Sequence, residues 1–321
     1  MNILVTGCAG FIGFHLSEIL CKNSNIKVIG IDNLNSYYSV KLKKDRLKIL
    51  KKNKNFKFIK LDLAYKNQLK KIFKEKKFNI IYNLAAQAGV RYSITNPEKY
   101  TRSNLLGFFN LLELARVNKV DHFISASTSS VYGDNKDFPL SEDQKTDKPI
   151  SFYAATKKSN EIMGYSYSYI YNMKITFLRF FTVFGPMGRP DMSLFKFVSL
   201  IKNNSKIDLY NYGHHERDFT YVDDVVKILK KIKNKPSQDK IPYQLFNVCS
   251  NKPIKLKKFI KLIETNLGQK AKANYLDLQK GDIVKTHGSN KKLEKKIGKI
   301  NFTDINKGIS EYIKWYSKYF S

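Results

Sequence analysis

A short apolar run, Asn2-Ile3-Leu4-Val5-Thr6, leads into Gly7-Cys8-Ala9-Gly10-Phe11-Ile12-Gly13. The next residues, Phe14-His15-Leu16-Ser17-Glu18-Ile19-Leu20, have helical spacing. Strand, glycine turn and helix in that order leave few folds open. Gly7 permits the tight turn, Gly10 lets backbone approach a pyrophosphate, and Gly13 lets the helix pack on the sheet. The first helical turn offers free N–H groups to phosphate oxygens. Glycine triplets alone are weak signals. The flanking strand and helix favour a dinucleotide site over an ordinary turn.

Lys27-Val28-Ile29-Gly30-Ile31 reads as a second strand ending at Asp32. A carboxylate about 20 residues past the glycines is placed to accept hydrogen bonds from an adenosine ribose, and it repels a 2′-phosphate. NAD is therefore expected rather than NADP. Residues 34 to 50 read as a Tyr- and Lys-rich insertion, a loop followed by a short helix. Phe56 to Leu61 is a third strand, ending at Asp62-Leu63, which could hold adenine. Lys66 to Lys76 is helical, and Asn79 to Leu84 is a fourth strand. The small residues Ala85-Ala86-Gln87-Ala88-Gly89 let backbone lie close to a cofactor. Pro97 to Asn118 reads as one long helix, with Asn104, Gly107 and Asn110 on one flank, and Phe123 to Ala126 as strand five. The alternation predicts an α/β fold: a doubly wound parallel Rossmann sheet with a smaller C-terminal α/β substrate domain. We place the boundary at 1–180 and 181–321, with strand exchange between the two. In the second part, Ile207–Tyr210, Phe219–Val222 and Gln244–Val248 read as strands. Residues 225–232, 256–267 and 305–320 read as amphipathic helices, with Trp315 as core filler.

At 321 residues the chain can bury one large core or two unequal ones. Lys and Arg total 58 against 27 acidic residues, a formal charge of +31. That balance invites a nucleic-acid reading. Two details oppose it: only seven of the 58 are Arg, and the lysines are scattered in runs such as Lys41-Leu42-Lys43-Lys44 and Lys291-Lys292. Compositional drift, with Asn and Ile also abundant, accounts for the charge better than a basic module does. A positive field drawing in an anionic substrate is the functional alternative. Cys8, Cys21 and Cys249 have neither metal nor disulfide spacing, which suits a reducing compartment. The five His show no metal pattern, and His214-His215 is expected on a surface turn. A core strand at the N-terminus argues against a signal peptide, and no run approaches the roughly 20 apolar residues of a membrane span. The expectation is a cytosolic enzyme with no metal, no nucleic acid and no membrane partner.

Ser127-Thr128-Ser129-Ser130 follows strand five, and Ser151-Phe152-Tyr153-Ala154-Ala155-Thr156-Lys157 opens a long helix. Tyr153 and Lys157 are four apart and share a helix face. An ammonium beside a phenol, with a nicotinamide cation nearby, stabilises the phenolate and pulls its pKa toward neutrality. Thr128 can hydrogen-bond the same substrate oxygen. These groups can take a proton from a carbinol while its hydride passes to NAD.

With these residues assembled, the chain resembles the extended short-chain dehydrogenases/reductases of the nucleotide-sugar epimerase group, and most closely the UDP-glucuronate 4-epimerases. The resemblance runs from Met1 to about Tyr319. It is most specific in Arg179-Phe180-Phe181-Thr182-Val183-Phe184-Gly185-Pro186-Met187-Gly188-Arg189-Pro190-Asp191-Met192 and in Arg217-Asp218-Phe219-Thr220-Tyr221-Val222-Asp223-Asp224. It implies catalytic roles for Thr128, Tyr153 and Lys157. NAD would be held by Gly7, Gly10, Phe11, Ile12, Gly13, Asp32, Asn33, Asp62, Leu63, Ala85, Ala86, Gln87, Asn104, Lys157 and Phe181. The nucleotide sugar, a UDP-hexuronate, would be held by Arg91, Ser127, Thr128, Ser129, Tyr153, Thr182, Arg189, Met192, Tyr210, Arg217 and Asp282. Within that set Arg217 would meet the diphosphate, Tyr210 the uracil and Asp282 the ribose. Phe184 stands where the family usually has Tyr, which implies one hydroxyl fewer next to the site, and Lys280 stands where it usually has Pro. Related dehydratases and decarboxylases carry a carboxylate just after the catalytic Thr; this chain has Ser129-Ser130. UDP-glucose or UDP-N-acetylhexosamine 4-epimerisation is the alternative activity. A non-catalytic NAD-sensing or RNA-associated protein is the alternative of another class, disfavoured because Tyr153 and Lys157 are both present. The resemblance also implies a homodimer through the helices around Tyr100 to Asn118 and Tyr153 to Tyr171, with Tyr165, Tyr167, Tyr169 and Tyr171 as candidate contacts.

Overall fold

The computed structural model describes residues 1–279 and 281–320, so Lys280 lies outside the described residues. Strands β1 (Asn2–Thr6), β2 (Lys27–Asp32), β3 (Phe56–Lys60), β4 (Ile80–Asn83), β5 (His122–Thr128) and β6 (Ile175–Phe180) line up in one sheet with β10 (Tyr243–Val248). The order is β10-β6-β5-β4-β1-β2-β3, and every pairing is parallel. Parallel strands need crossovers and are covered on both faces, so they read as continuous apolar runs. Ile3, Leu4 and Val5 are all fully buried, and so are Phe123 and Ile124.

Helices α1 (Phe11–Cys21) and α2 (Val40–Leu50) cover one face. On the other lie α3 (Lys66–Glu75) and a helical stretch made of α4 (Tyr92–Thr95), α5 (Pro97–Tyr100), a π-helical segment (Thr101–Leu106) and α6 (Gly107–Val117). The expected single helix over 97–118 is therefore wound wider at its start. Asn104, inside the π segment, is buried on the same flank as Gly107 and Asn110. Helix α7 (Phe152–Tyr171) completes this layer; its N-terminus is capped by Ser151, whose hydroxyl accepts from Ala154 N.

Two small sheets form the second unit. One pairs β7 (Thr182–Phe184), β9 (Glu216–Tyr221) and β11 (Pro253–Lys255); the other pairs β8 (Lys206–Tyr210) with β12 (Lys272–Leu276). Their core is filled by α8 (Ser193–Lys202), α10 (Leu256–Leu267) and α12 (Ile305–Tyr319). Trp315 packs there, its ring 5.3 Å from Tyr312 and 5.4 Å from Tyr319. The chain does not stay on one side after residue 180: α9 (Val222–Ile232) packs with α1, and β10 and α11 (Lys291–Ile297) join the first core. Among the described residues no helix is long and apolar enough to cross a membrane.

Candidate active site

Gly7, at φ +71°, turns the chain off β1, and a Cβ there would lie 2.8 Å from Ala85 N. A side chain at Gly13 would collide with the Gly7 carbonyl oxygen. No side chain caps α1: Gly10 occupies its N-cap, leaving the first-turn N–H groups toward the cleft. This glycine cradle fits a dinucleotide pyrophosphate. The cleft is a cavity of about 750 Å³ along the carboxyl ends of the strands, bounded on the far side by the small sheets.

Every candidate catalytic, cofactor or substrate residue read from the sequence lines this cavity except Asn104. Asn104 is behind the wall: its Oδ1 accepts from Gln87 N at 2.8 Å, and its Nδ2 donates to Gln87 O and to Thr156 Oγ1, both at 3.1 Å. It braces the Ala85–Gly89 segment against α7 rather than touching a ligand. Asp32 accepts from Ala9 N at 3.2 Å and from Leu34 N at 2.8 Å. Burial pushes its carboxyl up, while the Leu34 N–H and the Lys43 charge oppose that. Asp62 accepts from Ala64 N at 2.9 Å and pairs with Arg102 at 3.3 Å.

Sequence reading missed two cations in this half. Lys43 is buried and donates to Asn35 O at 2.7 Å and to Asn35 Oδ1 at 2.8 Å. Arg46 is fully buried; one terminal nitrogen donates to Ala9 O at 2.7 Å and the other to Met187 O at 2.6 Å. It ties the glycine turn to the Gly185–Met192 segment. The signal was present: Leu42, Lys43, Arg46, Leu47 and Leu50 share the buried face of α2, but a charge run hides a buried charge.

At the catalytic end, Lys157 Nζ donates to Ala126 O at 2.8 Å. Burial pulls its pKa down to about 8, with Glu161 opposing. The Tyr153 phenol differs from expectation. Burial pushes its pKa up, outweighing the Arg189 charge and the Thr128 contact that pull it down. The protein alone does not bring this phenol toward neutrality. Thr128 Oγ1 donates to Ser130 Oγ at 3.2 Å. Ser127, read as a substrate donor, spends its hydroxyl on Glu161 Oε1 at 2.6 Å; Ser129 and Thr182 remain on the wall.

The substrate side is built from paired charges. Arg189 forks onto Asp191 at 3.0 and 2.5 Å, and Tyr37 donates to the same carboxylate at 3.0 Å. Arg91 pairs with Asp282 at 2.7 Å and lies 4.8 Å from the centre of the Tyr210 ring. Arg217 donates to the carbonyls of Glu216 and Val284, and burial lowers its pKa to about 10. Two expectations are corrected. His215 is buried on the cavity wall rather than on a surface turn, with burial and the nearby Arg217 charge lowering its pKa. Phe184 is not beside the reacting groups; it packs edge-on to Phe219 and Tyr221 in the second core.

Fold and site together define a Rossmann enzyme of the extended short-chain dehydrogenase/reductase class. The chain belongs to the family described as GDP-mannose 4,6 dehydratase, whose model matches residues 4–312. It is 46% identical to Protein CapI of Staphylococcus aureus, over 100% of this chain and 99% of the relative. It is 40% identical to the UDP-glucuronate 4-epimerase of Thermodesulfobacterium geofontis, over 97% of this chain and 95% of that one. Among solved structures it resembles the UDP-glucuronic acid 4-epimerase of Bacillus cereus in complex with UDP-glucuronic acid and NAD. That match has a TM-score of 0.93 and 31% identity, covering 99% of this chain and 100% of that chain.

Proposed function

We propose that this protein inverts C4 of UDP-glucuronate to give UDP-galacturonate, reversibly and with NAD. The observation that carries the reading is the wall beside Tyr153: Thr128, Ser129 and Ser130 offer hydroxyls and no carboxylate. Elimination and decarboxylation in related enzymes use an acid at that place. The full-length likeness to UDP-glucuronate 4-epimerases supports the same reading.

The glycine turn, Asp32 and the Asp62–Leu63 and Ala85–Gln87 segments would hold NAD, with Lys157 at its reactive end. NAD bound there would supply the redox chemistry, reversible hydride exchange with C4. Tyr153 takes the C4 hydroxyl proton and later returns it. Lys157 and Arg189 stabilise the phenolate, and Thr128 shares a hydrogen bond with the reacting oxygen. Ser129 and Thr182, with Arg189 once it leaves Asp191, would meet the C6 carboxylate. Arg217, Tyr210, Arg91 and Asp282 receive the nucleotide, and the Arg91–Asp282 pair must exchange partners to do so. A neutral hexose leaves donors on this wall without an anion, at about 1–3 kcal/mol each where water is excluded. Parallel assays of UDP-glucuronate, UDP-glucose and UDP-N-acetylglucosamine, with products read by NMR, test the reading. UDP-glucuronate should lead in kcat/KM by at least about 100-fold, with C4 inverted and C6 retained. A pentose product or equal rates on UDP-glucose would overturn it.

A homodimer belongs to the same proposal. Leu106, Phe109 and Val117 are exposed along the helix ending in α6, and Ile162, Tyr165 and Tyr169 along α7. An apolar face of that kind marks an association surface. Tyr167 is partly diverted from it, donating to Glu113 at 3.0 Å. A cytosolic location accords with three unpaired, buried cysteines.

A further inference from the structure

A buried carboxylate sits behind the reacting pair. Glu161 lies one helical turn beyond Lys157 on α7 and is 2% exposed. Arg179 on β6, 1% exposed, grips it with a fork: Nε donates to Oε1 at 2.9 Å and a terminal nitrogen to Oε2 at 2.8 Å. Ser127 Oγ donates to the same Oε1 at 2.6 Å, and Lys158 Nζ stands 3.6 Å from Oε2. Among the described residues no carboxylate is in ion-pair contact with Lys157 itself.

We propose that Glu161 is a positioning residue for the reaction, one that holds Ala126–Thr128 of β5 in register with the Tyr153–Lys157 turn and supplies the counter-charge for the Lys157 ammonium. The inference rests on the epimerase reading. Its geometry is a double hydrogen-bonded grip from one helix on consecutive residues of one strand, with Tyr153 beside the third on the cavity wall. Lys157 takes the Ala126 carbonyl, Glu161 takes the Ser127 hydroxyl, and Tyr153 faces Thr128. The Arg179 fork fixes the plane of the carboxylate. Arg179 is in turn held over the Tyr132 ring at 4.7 Å, and Tyr132 donates to Asn247 of β10 at 2.7 Å.

The electrostatic part follows from burial. A lysine out of water loses its proton readily unless a negative charge lies near. The charged and titratable groups around this end are Tyr153, Lys158 and Glu161 on α7, Arg179 on β6, Tyr132 after β5, Tyr243 on β10, and Arg189 across the cleft. Glu161 is the one among them that works against the desolvation of Lys157.

The test is the pH profile of NAD-loaded E161Q between about pH 6 and 9, alongside E161Q/R179M. The double variant avoids stranding a buried guanidinium, a fault that can unfold a protein. Wild-type turnover should fall as pH rises through about 8. In both variants that limb should move at least about one pH unit lower, reducing kcat at pH 8 about fivefold. KM should stay within about threefold, and E161D should restore most of the shift. Lower thermal stability with an unmoved limb would overturn the proposal. The ¹³Cε resonance of labelled Lys157, assigned by difference with K157R, reads the same shift whether or not the wild type epimerises. Failure of the function and failure of the inference are thereby separated.

Discussion

The two walls of the cleft are built on opposite principles. The cofactor wall is backbone: glycines where side chains collide, N–H groups at a helix end, and an Asp32 whose oxygens already hold Ala9 and Leu34. The substrate wall is side chain: Arg189 on Asp191, Arg91 on Asp282, and Arg217 on two carbonyls. A backbone cradle is ready before its ligand arrives and has little to rearrange. Ion-paired donors must trade one anion for another. Retention of NAD should therefore depend on shape, and use of substrate on exchange of charge partners.

Variants can break that contrast. The largest effect is expected for Y153F, which should lower kcat by about 10³-fold while NAD and nucleotide sugar still bind, as stopped assays and calorimetry would show. Next comes G13A. Its Cβ has no room against the Gly7 carbonyl, so over-packing should cost about 3 kcal/mol in urea melts, and NAD should be lost on gel filtration. If G13A kept its NAD, the cofactor wall would be less rigid than described.

On the Rossmann side, His122 makes stability depend on acid. Burial lowers His122 to about 4, and its ring contacts Lys233 O and Thr176 Oγ1. In the unfolded chain it titrates near 6.5, so the unfolded state binds the extra proton as pH falls from about 6.5 to 4. Stability should drop across that window by up to about 3 kcal/mol and be level above it. H122Q should flatten the slope in pH-dependent melts.

The smallest effect, about 1.4 kcal/mol, is expected for R91A, as a roughly tenfold rise in KM with kcat and NAD content unchanged. In R91A/D282N the penalties should fail to add, because the two side chains are partners. Strict additivity would mean that the pair exchanges nothing on binding.

Much of this was legible in the chain. The glycine turn, the apolar runs of the parallel strands and the Tyr153–Lys157 spacing are local patterns, and local patterns survive without a structure. What escaped reading depended on distant partners. Asn104, assigned to the cofactor from the sequence, is spent on Gln87 and Thr156, its partners 17 and 52 residues away. His215, in a polar run, gave no sign of its burial. Arg46 looked like one more charge in a lysine-rich helix, though its acceptors lie 37 and 141 residues away. The phenol of Tyr153 shows the same limit: spacing supplied its neighbour, and only the packing supplied the desolvation that dominates.

The position of β10 has a consequence for synthesis. β6 ends at Phe180, but its outer neighbour begins only at Tyr243. At roughly 5–20 residues per second, the ribosome leaves that sheet edge bare for about 3–12 s. During that interval a row of unpaired N–H and C=O groups is open to any extended segment nearby. Nascent chains stalled between these two strands should engage chaperones more strongly than chains stalled after Val248. Truncation near residue 180 should yield aggregates rather than a free-standing NAD-binding half.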